Sequence, residues 1–189
     1  MGFEFTTTRR LVNEAGGVRR LGALCQQMNI HRPVIITDPG IVAAGLLERA
    51  SEPLVSAGLP VCIFSEVQAD PPESVVEEAI QFALDSEADG IIGFGGGSAM
   101  DTAKLVALIA CSGEKLSEIY GVEQVKGQRL PLIQVPTTAG TGSEVTPISI
   151  VTTGAATKMG VVSERLQPDL ALLDAELTLG LPAAVTAST

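Results

Sequence analysis

The sequence predicts a Rossmann-like α/β fold, a mainly parallel sheet flanked by helices. Short runs of Val, Ile and Leu alternate with stretches whose apolar residues recur every three or four positions, the rhythm of βαβ units. Two of those apolar runs pass directly into loops of small residues, at Gly95–Ser98 and at Thr137–Ser143. The chain has 189 residues, 46% of them hydrophobic, without an internal repeat or a dividing linker. That suits one domain with a substantial core.

Taken in order, Phe3 to Thr7 reads as a short edge strand. Glu14 to Asn29 reads as a helix, with Val18, Leu21, Leu24, Cys25 and Met28 at helical spacing. Pro33 to Thr37 is a buried strand. Ile41 to Ala57 reads as one helix closed by Gly58, and Val61 to Phe64 as the next strand. Pro71 and Pro72 open a third helix with the stripe Val76, Ala79, Ile80, Ala83 and Leu84. Ile91, Ile92 and Phe94 mark a strand, and Ala99 to Ala110 a helix apolar almost all round, hence enclosed on several sides. Gly113 to Gln128 is a loop with a short helix near Leu116–Tyr120. Leu130 to Val135, Val145 to Thr152, Lys158 to Ser163 and Leu170 to Leu173 are further strands, and Leu181 to Thr189 starts like a helix with Pro182 in its first turn.

The strand ending at Phe94 passes three consecutive glycines, Gly95, Gly96 and Gly97, before its helix. Lacking Cβ atoms, they let a bulky anion approach the backbone closely. Ser98 and Asp101 have the spacing of a capping box. The first amides of the helix would face the loop with the positive end of the helix dipole behind them, an arrangement that suits phosphate. A glycine turn of this kind also serves simply to reverse the chain. It matches neither G-x-G-x-x-G nor a Walker loop, because Ser98 stands where the third glycine would be and no Gly-Lys-Ser/Thr follows.

The second loop leaves its strand at Pro136. Thr137, Thr138, Thr141 and Ser143 interleave with Gly140 and Gly142. Such a segment can be merely solvated, but ligands of open parallel sheets sit outside the carboxyl ends of the strands, where both loops would lie. Asp38 also follows a buried strand. It can accept hydrogen bonds from the hydroxyls of an adenosine ribose, or it can cap the helix that follows Pro39; the residues leave both open. Lys158 offers a charge to phosphate or ribose, or is an ordinary exposed lysine.

The net charge of −10, from 12 basic and 22 acidic residues, argues against nucleic acid and anionic membrane surfaces as partners. Cys25, Cys62 and Cys111 are odd in number, widely spaced and set among apolar residues, without a C-x-x-C, which points to a reducing, cytoplasmic setting. No run of 18 apolar residues suggests a membrane span. Met1 to Phe5 is unlike a signal peptide.

Gly95–Lys104 together with Pro136–Glu144 resembles the iron-containing (group III) alcohol dehydrogenase family, with the glycerol dehydrogenase and dehydroquinate synthase families as more distant relatives. Tyr120 in a polar loop, Lys158 and Leu170–Thr178 extend the resemblance over essentially the whole chain. It implies that residues 1–189 are an α/β dinucleotide-binding domain, paired in the family with a C-terminal all-helical metal domain. It implies NAD, in preference to NADP, as cofactor. Asp38 would meet the adenosine ribose, Gly95, Gly96, Gly97 and Ser98 the pyrophosphate, with Asp101 beside them. Thr137, Thr138, Thr141 and Ser143 would line the adenine and nicotinamide side, and Lys158 and Leu177 would flank the second ribose. The implied chemistry is NAD(P)-dependent oxidation of an alcohol or reduction of an aldehyde, in a homo-oligomer.

The departure from the family lies in the metal. The family's divalent ion, Fe or Zn, is held by an Asp and three His that would begin just past Thr189, whereas His31 matches no ligand position. Asp101 and Glu144 are poor substitutes without a histidine at ligand spacing. The residues therefore imply the cofactor half without the metal half, and a chain inactive alone. A non-catalytic nucleotide-binding or dimerising fragment, or a glycerol-dehydrogenase-like relative, is the alternative.

Overall fold

The computed structural model describes residues 2–3, 6–154 and 156–181. Its strands are β1 Arg10–Asn13, β2 Pro33–Ile36, β3 Cys62–Phe64, β4 Gly90–Gly95, β5 Gly121–Val122, β6 Leu132–Pro136, β7 Ile148–Thr153, β8 Thr157–Val162 and β9 Leu170–Leu173. Its α-helices are α1 Leu21–Gln27, α2 Pro39–Ala43, α3 Leu47–Ser56, α4 Glu73–Asp85 and α5 Gly97–Ser112. Among the described residues, six strands form an all-parallel sheet in the order β1-β9-β6-β4-β2-β3.

Strand alternation assigns the two faces. Val34, Ile36, Ile91 and Leu132 point into one core with Val76, Ala79 and Ala83 of α4 and Leu105 and Leu108 of α5. Ile35, Ile92, Phe94, Ile133 and Leu172 point into the other with Leu21 and Leu24 of α1 and Ala50 and Leu54 of α3. The central strands β2, β4 and β6 are buried along their whole length, which is why they read as continuous apolar runs rather than alternating ones. Helix α5 is enclosed by the sheet, by α4 and by β7, and its residues from Leu105 to Leu108 are fully buried.

Several boundaries differ from the expectation. The N-terminal strand lies at Arg10–Asn13, not Phe3–Thr7; Phe3 and Thr6 to Thr8 are irregular, and residues 4 and 5 lie outside the described ones. Its register is set by backbone pairing with β9, from Arg10 opposite Leu170 to Asn13 opposite Leu173, which its largely exposed side chains do not advertise. The Ile41–Ala57 helix is two helices, because Gly45 takes φ 67° between α2 and α3. Helix α5 starts at Gly97 with Gly96 in the capping position, so Ser98 sits inside the first turn and its box with Asp101 does not form. The Val145–Thr152 strand starts at Ile148, because Ser143–Val145 is a 3-10 turn. β7 and β8 leave the main sheet as an antiparallel hairpin, joined by β5 into a second small sheet. The expected helix after Leu181 falls on residues 182–189, outside the described ones.

Asp174, 3% exposed, ties the end of β9 to the 3-10 turn before α1 by accepting from the backbone N–H groups of Gly16, at 2.8 Å, and Val18, at 3.1 Å. The three cysteines are free: Cys25 is buried, Cys62 partly so, and Cys111 exposed, contrary to its apolar sequence setting. Burial pushes the Cys25 thiol up to about 12, with the Asp89 charge adding to the effect, so it is a core residue rather than a nucleophile. No helix among the described residues is long and apolar enough to cross a membrane.

Gly22 is where α1 and α3 touch. A Cβ there would stand 2.3 Å from the Pro53 carbonyl oxygen and 2.6 Å from the Ala57 Cβ. Helix propensity favours Gly22→Ala by about 1 kcal/mol, but this clash is with backbone and overpacking costs about 1–3 kcal/mol. Urea denaturation is expected to show net destabilisation of Gly22→Ala; a stabilised variant would mean that the helices are not in this contact.

Candidate functional site

The carboxyl ends of β2, β4 and β6 converge on one edge of the sheet. After β2 the chain crosses to β3 on one side, and after β4 it proceeds to β6 on the other, so β2 and β4 flank the point where strand order reverses. Ligands of open α/β sheets bind at that crevice. Asp38 stands at its β2 lip. Its Oδ1 accepts from the Ile41 N–H at 3.1 Å and caps α2. Its Oδ2 faces the glycine turn, 3.0 Å from where a Cβ on Gly95 would be. A carboxylate has two oxygens, and the cap engages one.

The turn from β4 into α5 explains its glycines separately. Gly95 has φ 149°, a region side chains rarely enter, and a Cβ there would also lie 3.0 Å from the Ala99 Cβ. Gly96 is different: its backbone is ordinary, φ −82° and ψ −172°. A Cβ on it would meet only the Thr138 side chain, at 3.6 Å, so its small size keeps the space in front open. A Cβ on Gly97 would press on the Thr141 Cγ2 at 3.3 Å. No side chain caps α5. The first amides of a helix have no intrahelical acceptor, and here they carry the positive end of a 16-residue helix.

Across the turn, the Thr137 N–H donates to the Gly95 carbonyl at 3.0 Å, which brings the second loop alongside the first. The hydroxyls of Thr37, Thr137 and Thr138 are buried and have no hydrogen-bond partner among the described residues. Unpartnered buried hydroxyls are costly and uncommon. Two cavities meet at Asp38, Gly40 and Gly96. One, of about 520 Å³, runs from Asp38 past Gln68 and Ala69 to Gly97, Ser98 and Ala99. The other, of about 320 Å³, is bounded by Ile41, Ala44, Leu46, Thr137, Thr138, Gly180 and Leu181.

The structure thus brings together Asp38, Gly95, Gly96, Gly97, Ser98, Thr137 and Thr138, with Thr141 and Ser143 against Gly97. Three other candidates are not among the residues that line the two cavities. The Asp101 carboxylate points at the hairpin, where its Oδ2 accepts from the Ile150 N–H at 3.1 Å. Lys158 is exposed on β8, with Nζ 2.6 Å from Asp70 Oδ1. The Leu177 side chain is fully buried in the core. Gln68 and Ala69, in the connection from β3 to α4, are cavity residues the sequence reading did not find, since nothing in their composition marks them.

Lys104 is the other unanticipated residue. Its side chain is 0% exposed, with Nζ 2.6 Å from the Ile148 carbonyl and 3.5 Å from Asp101 Oδ1. Burial pushes the Asp101 carboxyl up and the Lys104 ammonium down, and each charge partly offsets the other's shift. The residues present do not fit a metal ion: among those described, no three His, Cys, Asp or Glu cluster as ligands. His31 is exposed, and its backbone N–H donates to Asp89.

A model of the iron-containing alcohol dehydrogenase family matches residues 8–175. The chain belongs to that family. It is 36% identical over 190 residues to a sulfoacetaldehyde reductase of Bilophila wadsworthia, covering 100% of this chain and 49% of that protein. It is 35% identical over 175 residues to an NAD-dependent methanol dehydrogenase of Bacillus methanolicus, covering 92% of this chain and 46% of the other. The crystal structure of sulfoacetaldehyde reductase from Bifidobacterium kashiwanohense in complex with NAD+ superposes with a TM-score of 0.89 at 28% identity, over 100% of this chain and 50% of that one. The chain therefore spans about half the length of the family members it matches.

The contrast between the first two glycines of the turn is measurable. Gly95→Ala is expected to lose about 1–3 kcal/mol of stability, from a disfavoured φ and two close contacts. Gly96→Ala is expected to stay within about 0.5 kcal/mol. Parallel guanidinium melts check this, and equal losses at both positions would contradict the geometry of the turn.

Proposed function

We propose that this chain is the dinucleotide-binding half of an NAD-dependent oxidoreductase that interconverts alcohols and aldehydes. The observation that carries the reading is the uncapped N-terminus of α5, which opens on one of two cavities that meet at Asp38 and Gly96, the other being walled by the Thr137 and Thr138 hydroxyls, which have no partner among the described residues. NAD fits that donor set. The Asp38 Oδ2 suits the adenosine ribose hydroxyls, the amides of Gly97, Ser98 and Ala99 suit the pyrophosphate, and the threonine hydroxyls suit the polar edges of the bases. Apolar Ile41, Ala44 and Leu46 line the smaller cavity, as an adenine ring requires. Bound there, the nicotinamide supplies a hydride acceptor or donor. This chain's residues bind and orient it.

A small alcohol or aldehyde as substrate, a homo-oligomer and a cytoplasmic setting accompany the reading. Relatives named as reductases and dehydrogenases support the first. Exposed Val122, Ile148 and Ile150 on the hairpin sheet support the second, and free thiols support the third.

Cofactor preference tests the ribose end. A 2′-phosphate set beside Asp38 would oppose two anions in a partly desolvated crevice, which costs several kcal/mol. NAD is expected to bind at least about tenfold more tightly than NADP, equivalent to about 1.4 kcal/mol. Asp38→Asn keeps a helix cap but removes the charge, and should narrow the gap; Gly96→Val should weaken both cofactors alike. Titration calorimetry decides it. Equal binding of both cofactors by the original chain, or an unchanged ratio in Asp38→Asn, would reduce Asp38 to a cap.

A further inference from the structure

Asp101 and Lys104 occupy one side of α5, one turn beyond the glycines, and both face β7 rather than the cavities. Between them they hold three consecutive residues of that strand. The Lys104 Nζ donates to the Ile148 carbonyl at 2.6 Å, the Ser149 hydroxyl donates to the Asp101 carbonyl at 2.9 Å, and the Ile150 N–H donates to the Asp101 Oδ2 at 3.1 Å. Ser143 lies beside the Asp101 carboxylate, and Glu144 is near enough to Lys104 to favour its charge. These contacts fall at the far end of the loop whose near end is fixed by Thr137 N–H on the Gly95 carbonyl.

We propose that Asp101 and Lys104 are positioning residues of the nucleotide site, fixing the Thr137–Ser143 loop at its working distance from the glycine turn. The loop has little to hold itself. Gly140 and Gly142 take φ 121° and 67°, and Thr141 is exposed. Its seat is nevertheless tight, since Thr141 Cγ2 stands 3.3 Å from where a Cβ on Gly97 would be. Beyond Thr137, the chain is held by the Thr8 hydroxyl on the Glu144 carbonyl, at 2.9 Å, and by the Gln167 Nε2 on the Val145 carbonyl, at 2.7 Å; Asp101 and Lys104 add the contacts that seat the strand that follows against α5.

The charged nature of the far anchor is the informative part. A buried ion pair is a weak source of net stability, and apolar residues of similar volume often serve as well. What apolar residues lack is a hydrogen bond: without the pair, the Ile148 carbonyl and the Ile150 N–H would lose the partners they have on α5. A one-residue slip of β7 turns each side chain to the opposite face and would take the Ser149 hydroxyl off the Asp101 carbonyl. The pair and Ser149 together therefore hold β7, and through it the end of the loop, against α5. Asp101, expected from the sequence to touch the cofactor, acts instead through the strand behind it.

This inference rests on the dinucleotide reading of the cleft, and its test separates the two. The double variant Asp101→Asn/Lys104→Met removes both charges, so no buried charge is left unpaired. Amide hydrogen exchange of the nucleotide-free chain is expected to quicken at least about tenfold across Thr137–Ser143 while Ile91–Phe94 and Leu132–Val135 keep their protection. If the loop then occupies its seat about a tenth of the time, the Kd for NAD measured by calorimetry rises about tenfold. Ser149→Ala, which removes one hydrogen bond and no charge, is expected to shift both readouts in the same direction by less, and carries the test alone if the double variant does not fold. Unchanged loop exchange, or protection lost evenly across the sheet, would overturn the positioning role. A wild-type chain that fails to bind NAD would overturn the nucleotide reading, while the exchange data would still decide the role of the pair.

Discussion

Much of this structure follows from one close approach: the backbone of Gly95 and Gly96 passing between Asp38, Ala99 and Thr138. A side chain at Gly95 would collide with the lip of β2 and with the first turn of α5 at once. Because none is there, β4 can run into α5 with no intervening loop, and the helix leaves the sheet edge with its amides exposed to the crevice. Because the helix starts so early, it must lie deep between the sheet, α4 and the β7 hairpin. That placement accounts for a helix apolar on nearly every side.

The same geometry explains how a chain of net charge −10 can serve an anionic ligand. Basic side chains are scarce at the crevice. Lys104 is enclosed on the far side of α5, and Lys158 is paired with Asp70. In the proposed site, attraction has to come from neutral groups: the oriented amides of a helix start, which favour a nearby anion by about 0.3–1 kcal/mol at exposed positions and up to about 2 kcal/mol in partly buried ones, and hydroxyls with no partner among the described residues. Neutral donors hold phosphate without drawing other anions to the surface at long range. In the proposed site they would also leave Asp38 as the charge beside the ribose, a division of labour that a lysine-rich site could not provide.

The order of elements, the parallel sheet and both small-residue loops were legible because each has a local signature: continuous apolar runs for doubly covered strands, helical spacing for α1 and α4, and glycine where backbone must approach closely. What was not legible depends on contacts made at a distance. β1 is a largely exposed stretch made into a strand by β9. The break between α2 and α3 needs Gly45 in a left-handed conformation, which a helical stripe running across it conceals. The hairpin of β7 and β8 looks like two more strands of the main sheet until its antiparallel register is seen. Ser98 and Asp101 had cap spacing, yet the helix begins two residues too early for it. Lys104 carried no signal, since a lysine in an apolar helix ordinarily reaches for solvent, and only the carbonyl of Ile148 shows why this one does not.

The account's central claim is that one dinucleotide lies along the sheet edge, from Asp38 over the glycine turn to Thr137 and Thr138. Amide chemical-shift mapping of the isotope-labelled chain during an NAD titration tests it most directly. The account predicts that the amides of Gly96, Gly97, Ser98 and Ala99 and those of Thr137 and Thr138 move together and saturate with a single Kd, with smaller shifts at Asp38, Gly40 and Gln68. No shifts in these residues at millimolar NAD, or saturating shifts confined to the opposite edge of the sheet around Arg9, Arg129 and Arg165, would contradict it.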